Sequence, residues 1–445
     1  MRGRSSVTAI PLVFLLLVVS GCASPKAAAP DLDAPDGPFT DLPPLPPLPC
    51  EPDRSGQGLS PSLTVLAFET FAGDGAVREE IDTAVIDGRT LLAVSQPSGD
   101  ALEFLDVTDP RAPAPVASWY GDGDLLDDFK FLPDGTGIVT VGRSLRILDI
   151  REMEDVQVES SLDLAGDKLG DGYGHTVAAW VMQGRTYVSI GKAEAGDVSI
   201  FALEGEPGGR TLARTAHVGA TPISALPGRP DPLRSHDTWF EVDPVLGTPL
   251  LWVANVNWGI LAYDVTDPSA PVVAATMLPG ADNPLTGYMH TAQVTHFDGR
   301  RLVVGAQEYE AGVLKVWDAS DLRAPRLIGT WHTPVATMPF HNMQVVGQYV
   351  FATHFHEGLY VFDLAELPTP AAPGPAATMQ LFAHIPAEGN TEGARVPIGP
   401  VQSYEGTYEV VVQGGILWTT EVGAGIRSFA FGCMKPGDPS ATSTG

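Results

Sequence analysis

The chain has 445 residues, with 54 acidic side chains against 26 basic ones and a formal charge of −28 at pH 7. So acidic a surface repels phosphate backbones, which argues against nucleic acid as a partner and against a basic patch for membranes. It is compatible with the binding of cations, and the length suffices for one large closed domain or for two.

The first 21 residues have the order of a secretory signal peptide. Arg2 and Arg4 precede an apolar run from Ala9 to Val19, and the small residues Ser20 and Gly21 follow it. The run is too short for the roughly 20 apolar residues that a membrane-spanning helix needs. We therefore predict that residues 1–21 direct export and are removed.

The segment Val19-Ser20-Gly21-Cys22 resembles the lipobox of bacterial lipoproteins. The resemblance implies that Cys22 is diacylated and becomes the new N-terminus, which anchors the protein to a membrane through lipid. Ala23 after the cysteine favours the outer membrane, so the implied location is the bacterial cell envelope, on the periplasmic or the surface side. An ordinary signal peptide followed by a chance cysteine is the alternative.

Residues 22–60 are rich in proline and alanine, with PPLPPLP from Pro43 to Pro49. Such a segment cannot bury enough apolar surface to offset its ordering entropy, so we predict an extended tether, and a disordered tail at 434–445. Cys50 and Cys433 stand just outside both ends of the remaining domain, 61–433. In an oxidising compartment this pair predicts a disulfide that ties the two ends together.

One sequence motif recurs seven times along the domain. It is a strand with alternating polarity, a turn of the form Asp-x-x-Asp-Pro and, in the better copies, a second strand. The copies are ALEFLDVTDPRAPAPVASW at 101, LRILDIREMEDVQVESSL at 145, DVSIFALEGEPGGRTLARTA at 197, GILAYDVTDPSAPVVAATM at 259, VLKVWDASDLRAPRLIGTW at 313, GLYVFDLAELPTPAA at 358 and GIRSFAFG at 425.

Each copy follows a second unit made of a strand, a turn and another apolar strand, which gives four strands per repeat. Seven four-stranded units predict an all-β, seven-bladed β-propeller, with an open solenoid as the rival architecture. The seventh unit has only three strands, while a lone strand, LTVLAFETF, stands at 63–71 before the first unit. We predict that this N-terminal strand closes the last blade.

The repeated Leu-x-x-x-Asp-Val-Thr-Asp-Pro resembles the LVIVD repeat of bacterial and archaeal surface β-propellers. The resemblance covers residues 61–432 and is strongest in blades one, four and five. It implies the propeller fold and a location at the cell surface, and it implies no reaction, because fold alone does not determine function.

Alignment of the seven units places one position, at the start of the innermost strand, in a common register. Its occupants are Ile81, Asp127, His175, His236, His290, His341 and Tyr408. The next residue carries a polar oxygen in all seven units: Asp82, Asp128, Thr176, Asp237, Thr291, Asn342 and Glu409. The loop between the second and third strands of a blade lies at the same end of the channel and carries His354 and His356 in blade six, Glu308 and Glu310 in blade five.

Imidazole groups suit Zn, Cu or Fe, and three or four of them around an open position are typical of a catalytic metal centre. The candidate ligands are His175, His236, His290, His341, His354 and His356, with Asp237 and Asn342 as residues that fix the imidazole tautomers. Alternatively, the histidines bridge backbone groups between blades. Two main functions follow: a cell-surface scaffold for a protein or glycan partner, or a metal-binding protein or metal-dependent enzyme. A purely structural envelope component is the third.

Overall fold

In the computed structural model, the described residues are 63–69, 78–96, 100–123, 126–164, 174–191, 198–218, 235–256, 259–277, 289–308, 312–332, 339–368, 376–387, 406–422 and 424–431. The predicted signal peptide, tether and tail, and with them Cys22, Cys50 and Cys433, lie outside these ranges.

The described part of the chain is almost entirely β-structure. Its helical elements are two single 3-10 turns, at Met153–Asp155 and Leu364–Glu366, and none of its helices is long and apolar enough to cross a membrane. The strands are β1 (Leu63–Glu69), β2 (Ile81–Ile86), β3 (Arg89–Gln96), β4 (Ala101–Asp106), β5 (Ala114–Tyr120), β6 (Leu126–Phe131), β7 (Thr136–Val141), β8 (Ser144–Asp149), β9 (Gln157–Asp163), β10 (Thr176–Met182), β11 (Arg185–Gly191), β12 (Val198–Glu204), β13 (Thr211–Val218), β14 (Ser235–Val242), β15 (Pro249–Asn255), β16 (Gly259–Asp264), β17 (Val272–Met277), β18 (Thr291–Phe297), β19 (Arg300–Ala306), β20 (Val313–Asp318), β21 (Arg326–His332), β22 (Met343–Val346), β23 (Tyr349–Thr353), β24 (Leu359–Asp363), β25 (Ala377–Thr378), β26 (Gln380–Ile385), β27 (Gly406–Gln413), β28 (Ile416–Val422) and β29 (Gly425–Phe431).

These strands form seven antiparallel sheets, the blades of a propeller. Blades one to five are β2–β5, β6–β9, β10–β13, β14–β17 and β18–β21; blade six is β22, β23, β24 and β26; blade seven is β27, β28, β29 and β1. The short β25 runs parallel to β21 as a fifth strand of blade five. Each innermost strand packs against the innermost strand of the next blade, and β27 packs against β2, so the ring closes. The predicted seven-bladed propeller is confirmed.

The last blade is completed by the N-terminal strand, as predicted. β1 pairs antiparallel with β29, with Leu63 opposite Phe431 and Glu69 opposite Ile426. The described strand covers Leu63–Glu69, and residues 70 and 71 of the predicted strand lie outside the described residues. This pairing covers the edge of β29 and joins the two ends of the domain in one sheet, which removes an exposed edge that other chains could pair with.

The core is divided among the interfaces between blades. In the described part of the chain, seven clusters of buried apolar side chains each combine residues from two neighbouring blades. The cluster between blades three and four, for example, stacks Trp180 on Phe240 at 5.0 Å between ring centroids. Because every blade buries both faces against its neighbours, the innermost strands are held firmly around the channel.

The repeated aspartates stabilise the turns between the third and fourth strands. In blade one, Asp106 accepts a hydrogen bond from the Thr108 amide and Asp109 accepts one from the Arg111 amide, both at 3.0 Å. The same pairs of bonds recur in blades four and five. The repeat motif is therefore turn chemistry, in which short acidic side chains satisfy backbone amides.

Candidate functional site in the central channel

Four consecutive blades place a histidine at the start of the innermost strand, and these side chains lie side by side. Ring centroids are 4.6 Å apart for His175 and His236, 4.0 Å for His236 and His290, and 4.5 Å for His290 and His341. Each of the four is at most 3% exposed. Since innermost strands line the channel of a propeller, the structure gathers four of the six predicted ligands in one arc at one end of the channel.

Hydrogen bonds between neighbouring blades identify the matching residue in blade one. The Thr353 hydroxyl of blade six donates to the Tyr408 carbonyl at 2.7 Å, and the equivalent Thr420 of blade seven donates to the Glu79 carbonyl at 2.6 Å. Glu79 therefore occupies the position that the alignment gave to Ile81. That prediction was wrong by two residues, because Ile81 packs in the core between blades seven and one.

The seven residues at this position form what we call the channel ring. They are Glu79, Asp127, His175, His236, His290, His341 and Tyr408, and every one is buried. Glu79 was missed because the alignment of blade one was set two residues too far along the chain. A signal was present in the sequence, since the polar pair Glu79-Glu80 matches the pair Asp127-Asp128 of blade two.

The four imidazoles are neutral in this environment. Burial lowers the pKa of His175 to about 4 and that of His341 to about 3. Burial, followed by the neighbouring imidazoles, holds the pKa values of His236 and His290 well below the usual 6.5. Neutral imidazole has one nitrogen lone pair free to bind a metal, so the arc is in the protonation state that a metal site requires.

The hydrogen bonds of the arc leave several ring nitrogens available. His341 donates from Nδ1 to the Tyr408 carbonyl at 3.1 Å, which fixes its tautomer and leaves Nε2 with a lone pair and no partner among the described residues. His175 and His236 approach each other through their Nε2 atoms at 3.2 Å. Within the described part of the chain, neither nitrogen of His290 has a hydrogen-bond partner. Polar atoms at such depth are normally paired, so these nitrogens are open to an ordered water or a ligand.

Glu308 adds a carboxylate to the arc from the loop after β19. Its Oε2 lies 3.5 Å from Nε2 of His290, and its side chain is 9% exposed. One donor atom each from His236, His290 and Glu308 lie within 4.8 Å of one another. A tetrahedral ion with bonds of about 2.1 Å needs donors about 3.4 Å apart. The His290 and Glu308 atoms are already at that spacing.

The other two predicted ligands occupy a different environment. His354 is fully buried and packs edge-on against Phe340 and Tyr360, with centroids 4.8 and 5.5 Å away, and burial lowers its pKa to about 3. His356 is half-buried in the turn before β24. Phe355 lies between them, and its ring centroid is 5.0 Å from that of His341. This loop therefore places an apolar ring against the histidine arc.

The two residues predicted to fix imidazole tautomers make other bonds. Oδ1 of Asp237 accepts from the amide of Thr238 at 2.9 Å. The side-chain nitrogen Nδ2 of Asn342 donates a hydrogen bond to Oε2 of Glu409 at 2.9 Å. For His341, the group that fixes the tautomer is a backbone carbonyl of the next blade rather than Asn342.

The remaining sector of the channel ring is acidic. Burial raises the pKa of Glu79 to about 8, against the opposing effect of a hydrogen bond from Tyr408. Burial, then the neighbouring carboxylates of Glu79 and Asp128, raises the pKa of Asp127 well above its usual value. At one boundary Tyr408 lies between Glu79 and His341, with its ring 3.9 Å from that of His341; at the other boundary Asp127 is the direct neighbour of His175. The channel end thus has an imidazole arc and an acid arc.

Comparison with known proteins gives no independent identification. A scan against protein-family models finds no match, and a search of curated proteins also finds no match.

Proposed function

We propose that the protein binds a transition metal ion in the channel, with His236, His290 and Glu308 as its ligands. The observation that carries this proposal is the convergence of their three donor atoms within 4.8 Å of one another. His175 and His341 flank this trio, and the unpartnered Nε2 of His341 is a further potential donor.

The donor set favours particular metals. Two imidazoles and one carboxylate with open positions suit Zn²⁺ as a Lewis acid or Fe²⁺ as a centre that activates a bound molecule, and Cu²⁺ also accepts imidazole ligands. Closed structural zinc sites have four protein ligands, whereas three ligands leave room for water or a substrate. The proposed function is therefore that of a metal-dependent enzyme or metal-binding protein, in which the histidines bind and the open position faces the channel.

Metal analysis tests this proposal. Protein purified from its native compartment should contain about one transition metal ion per chain by mass spectrometry, and His290→Ala should lose it. His217→Ala is the matched control, because His217 is an exposed imidazole on the outer strand of blade three. Co²⁺ added to the metal-free protein should give visible absorption bands that the His290→Ala variant lacks. Absence of metal in the native protein, or a metal content unchanged by His290→Ala, would overturn the assignment.

The second candidate is an envelope scaffold, which one surface feature favours. Val245 and Leu246 are 82% and 66% exposed at the tip of the β14–β15 hairpin. The Asp243 carboxylate accepts hydrogen bonds from both of their amides, so the tip is held in one conformation. Adjacent exposed apolar side chains on a rigid turn suit contact with a protein partner. A photo-crosslinker at Leu246 should give a discrete adduct in envelope fractions, whereas one at the exposed Tyr120 should not.

Both functions are proposed to operate at the cell envelope. The LVIVD-like repeat, the signal peptide and the lipobox-like segment at Cys22 support an exported lipoprotein of the outer membrane. Metabolic labelling with palmitate should mark the native chain, and Cys22→Ser should abolish the label and release the protein from membranes. A wild-type chain that stays unlabelled and soluble in the periplasm would favour the ordinary signal peptide.

A further inference from the structure

The acid arc of the channel ring contains carboxyl groups that the fold leaves without partners. Asp127 is 1% exposed and Glu80 is 2% exposed. Neither of their carboxyl groups accepts a hydrogen bond within the described part of the chain, and Oε2 of Glu79 is in the same situation. A buried carboxylate without compensation costs several kcal/mol, so its charge must be neutralised by a proton or by a cation.

One buried cation lies beside this group, and it is already engaged. Lys130 is 1% exposed, and its Nζ lies 2.5 Å from the Asp128 carboxylate. Burial by itself would lower the pKa of Lys130, but the carboxylates of Asp128, Asp82 and Glu80 raise it above its usual value. A single ammonium group cannot compensate this many acids, so Asp127 and the neighbouring Glu79 and Glu80 need protons or a further cation.

We propose that Asp127 and Glu79 bind a hydrated divalent cation with a preference for oxygen ligands, such as Mg²⁺ or Mn²⁺, at a site separate from the imidazole arc. The two residues occupy neighbouring positions of the channel ring, the relation that brings histidine rings to between 4.0 and 4.6 Å elsewhere in it. Ions of this class keep several waters and need one or two carboxylates from the protein.

The geometry also sets the form of this site. In the described part of the chain, His236, His290 and Glu308 are the trio whose donor atoms all lie within 4.8 Å of one another, and no three carboxyl groups match it. The cation of the proposed site is therefore not coordinated directly by three carboxyl groups. Two carboxylates with water completing the coordination shell are the arrangement that remains.

Mn²⁺ binding followed by electron paramagnetic resonance tests the second site. Protein freed of metal with EDTA and measured at pH 8 should bind one Mn²⁺ per chain even when the imidazole site is removed by His290→Ala combined with Glu308→Gln. Asp127→Asn should abolish that binding, while the exposed control Asp109→Asn keeps it. Zn²⁺ binding at the imidazole arc is measured separately, so the two sites can fail independently.

Asp127→Asn is expected to fold, because it removes a buried charge at constant shape. In EDTA its unfolding temperature should equal or exceed that of the wild type, and added Mg²⁺ should raise the unfolding temperature of the wild type alone. The proposal is overturned if Mn²⁺ binding survives Asp127→Asn, if it disappears with the imidazole ligands, or if the wild type binds no Mn²⁺ at pH 8. The last result would mean that protons neutralise the acid arc.

Discussion

Gly191, the last residue of β11, supports the channel ring through its lack of a side chain. A Cβ atom there would lie 2.1 Å from the His236 carbonyl oxygen and 2.4 Å from the Thr176 hydroxyl. These two groups form a hydrogen bond of 2.6 Å between blades three and four. In Gly191→Ala the blades must separate and this bond must break, at a cost of about 1 to 2 kcal/mol for the bond and about 1 to 2 kcal/mol for overpacking.

We therefore expect Gly191→Ala to lower the free energy of unfolding by roughly 3 kcal/mol, measured by urea unfolding of the metal-free protein with tryptophan fluorescence. The variant should also bind Zn²⁺ more weakly, because His236 moves with its carbonyl. Gly209→Ala is the control, since its added Cβ would meet no atom closer than the Glu206 carbonyl at 4.0 Å, and its stability should stay within about 0.5 kcal/mol of the wild type. Equal stability of the two variants would refute this account of the blade contact.

Three further outcomes follow from buried or terminal groups. Burial lowers the pKa of His354 to about 3 in the folded chain. The unfolded chain therefore takes up a proton first, and His354 contributes a loss of stability of up to about 1.4 kcal/mol per pH unit as pH falls below about 6.5. His354→Phe should reduce the slope of urea-unfolding stability between pH 6 and 4 by up to this amount without changing metal content, and an unchanged slope would contradict this. Lys130→Met removes the partner of Asp128 and should cost about 3 to 5 kcal/mol by the same assay, whereas a neutral result would mean that the acids carry protons. A thiol count on the denatured, unreduced chain should find neither Cys50 nor Cys433 free, and two free thiols would exclude the disulfide.

The fold could be predicted from sequence because its information is local and repeated. Each blade carries an alternating strand and an aspartate turn, and seven weak copies reinforce one another where a single copy would be ambiguous. The seventh repeat has only three strands, and the N-terminal strand that begins at Leu63 supplies its fourth. The positions of His175, His236, His290 and His341 followed from the same register, since an identical residue type in four successive units fixes the alignment.

The remainder of the site depends on contacts that no repeat encodes. Glu79 was misplaced by two residues although the pair Glu79-Glu80 resembles Asp127-Asp128, and its position is identified by the hydroxyl of Thr420 in blade seven, far away in sequence. In the loop that holds His354 and His356, the backbone turns at Phe355, which has a positive φ of 42°. That turn directs His354 into an aromatic cluster, and one-dimensional spacing carries no information on such a choice.

Tyr408 separates the two arcs at one of their two boundaries, between His341 and Glu79, whereas Asp127 and His175 are direct neighbours in the ring at the other. Its carbonyl accepts the Nδ1 hydrogen of His341, and its hydroxyl lowers the pKa of Glu79 against the larger effect of burial. A charged carboxylate in the place of Tyr408 would favour the protonated form of His341 and remove its lone pair, since a nearby negative charge favours the imidazolium. With a neutral phenol between them, His341 keeps its low pKa while Glu79 keeps its high one. Tyr408→Phe, which retains the ring and the carbonyl but removes the hydroxyl, should therefore raise the pKa of Glu79 further and leave that of His341 unchanged. Titration by nuclear magnetic resonance of the metal-free protein would reveal both changes, and a shift at His341 would show that the arcs are electrostatically joined.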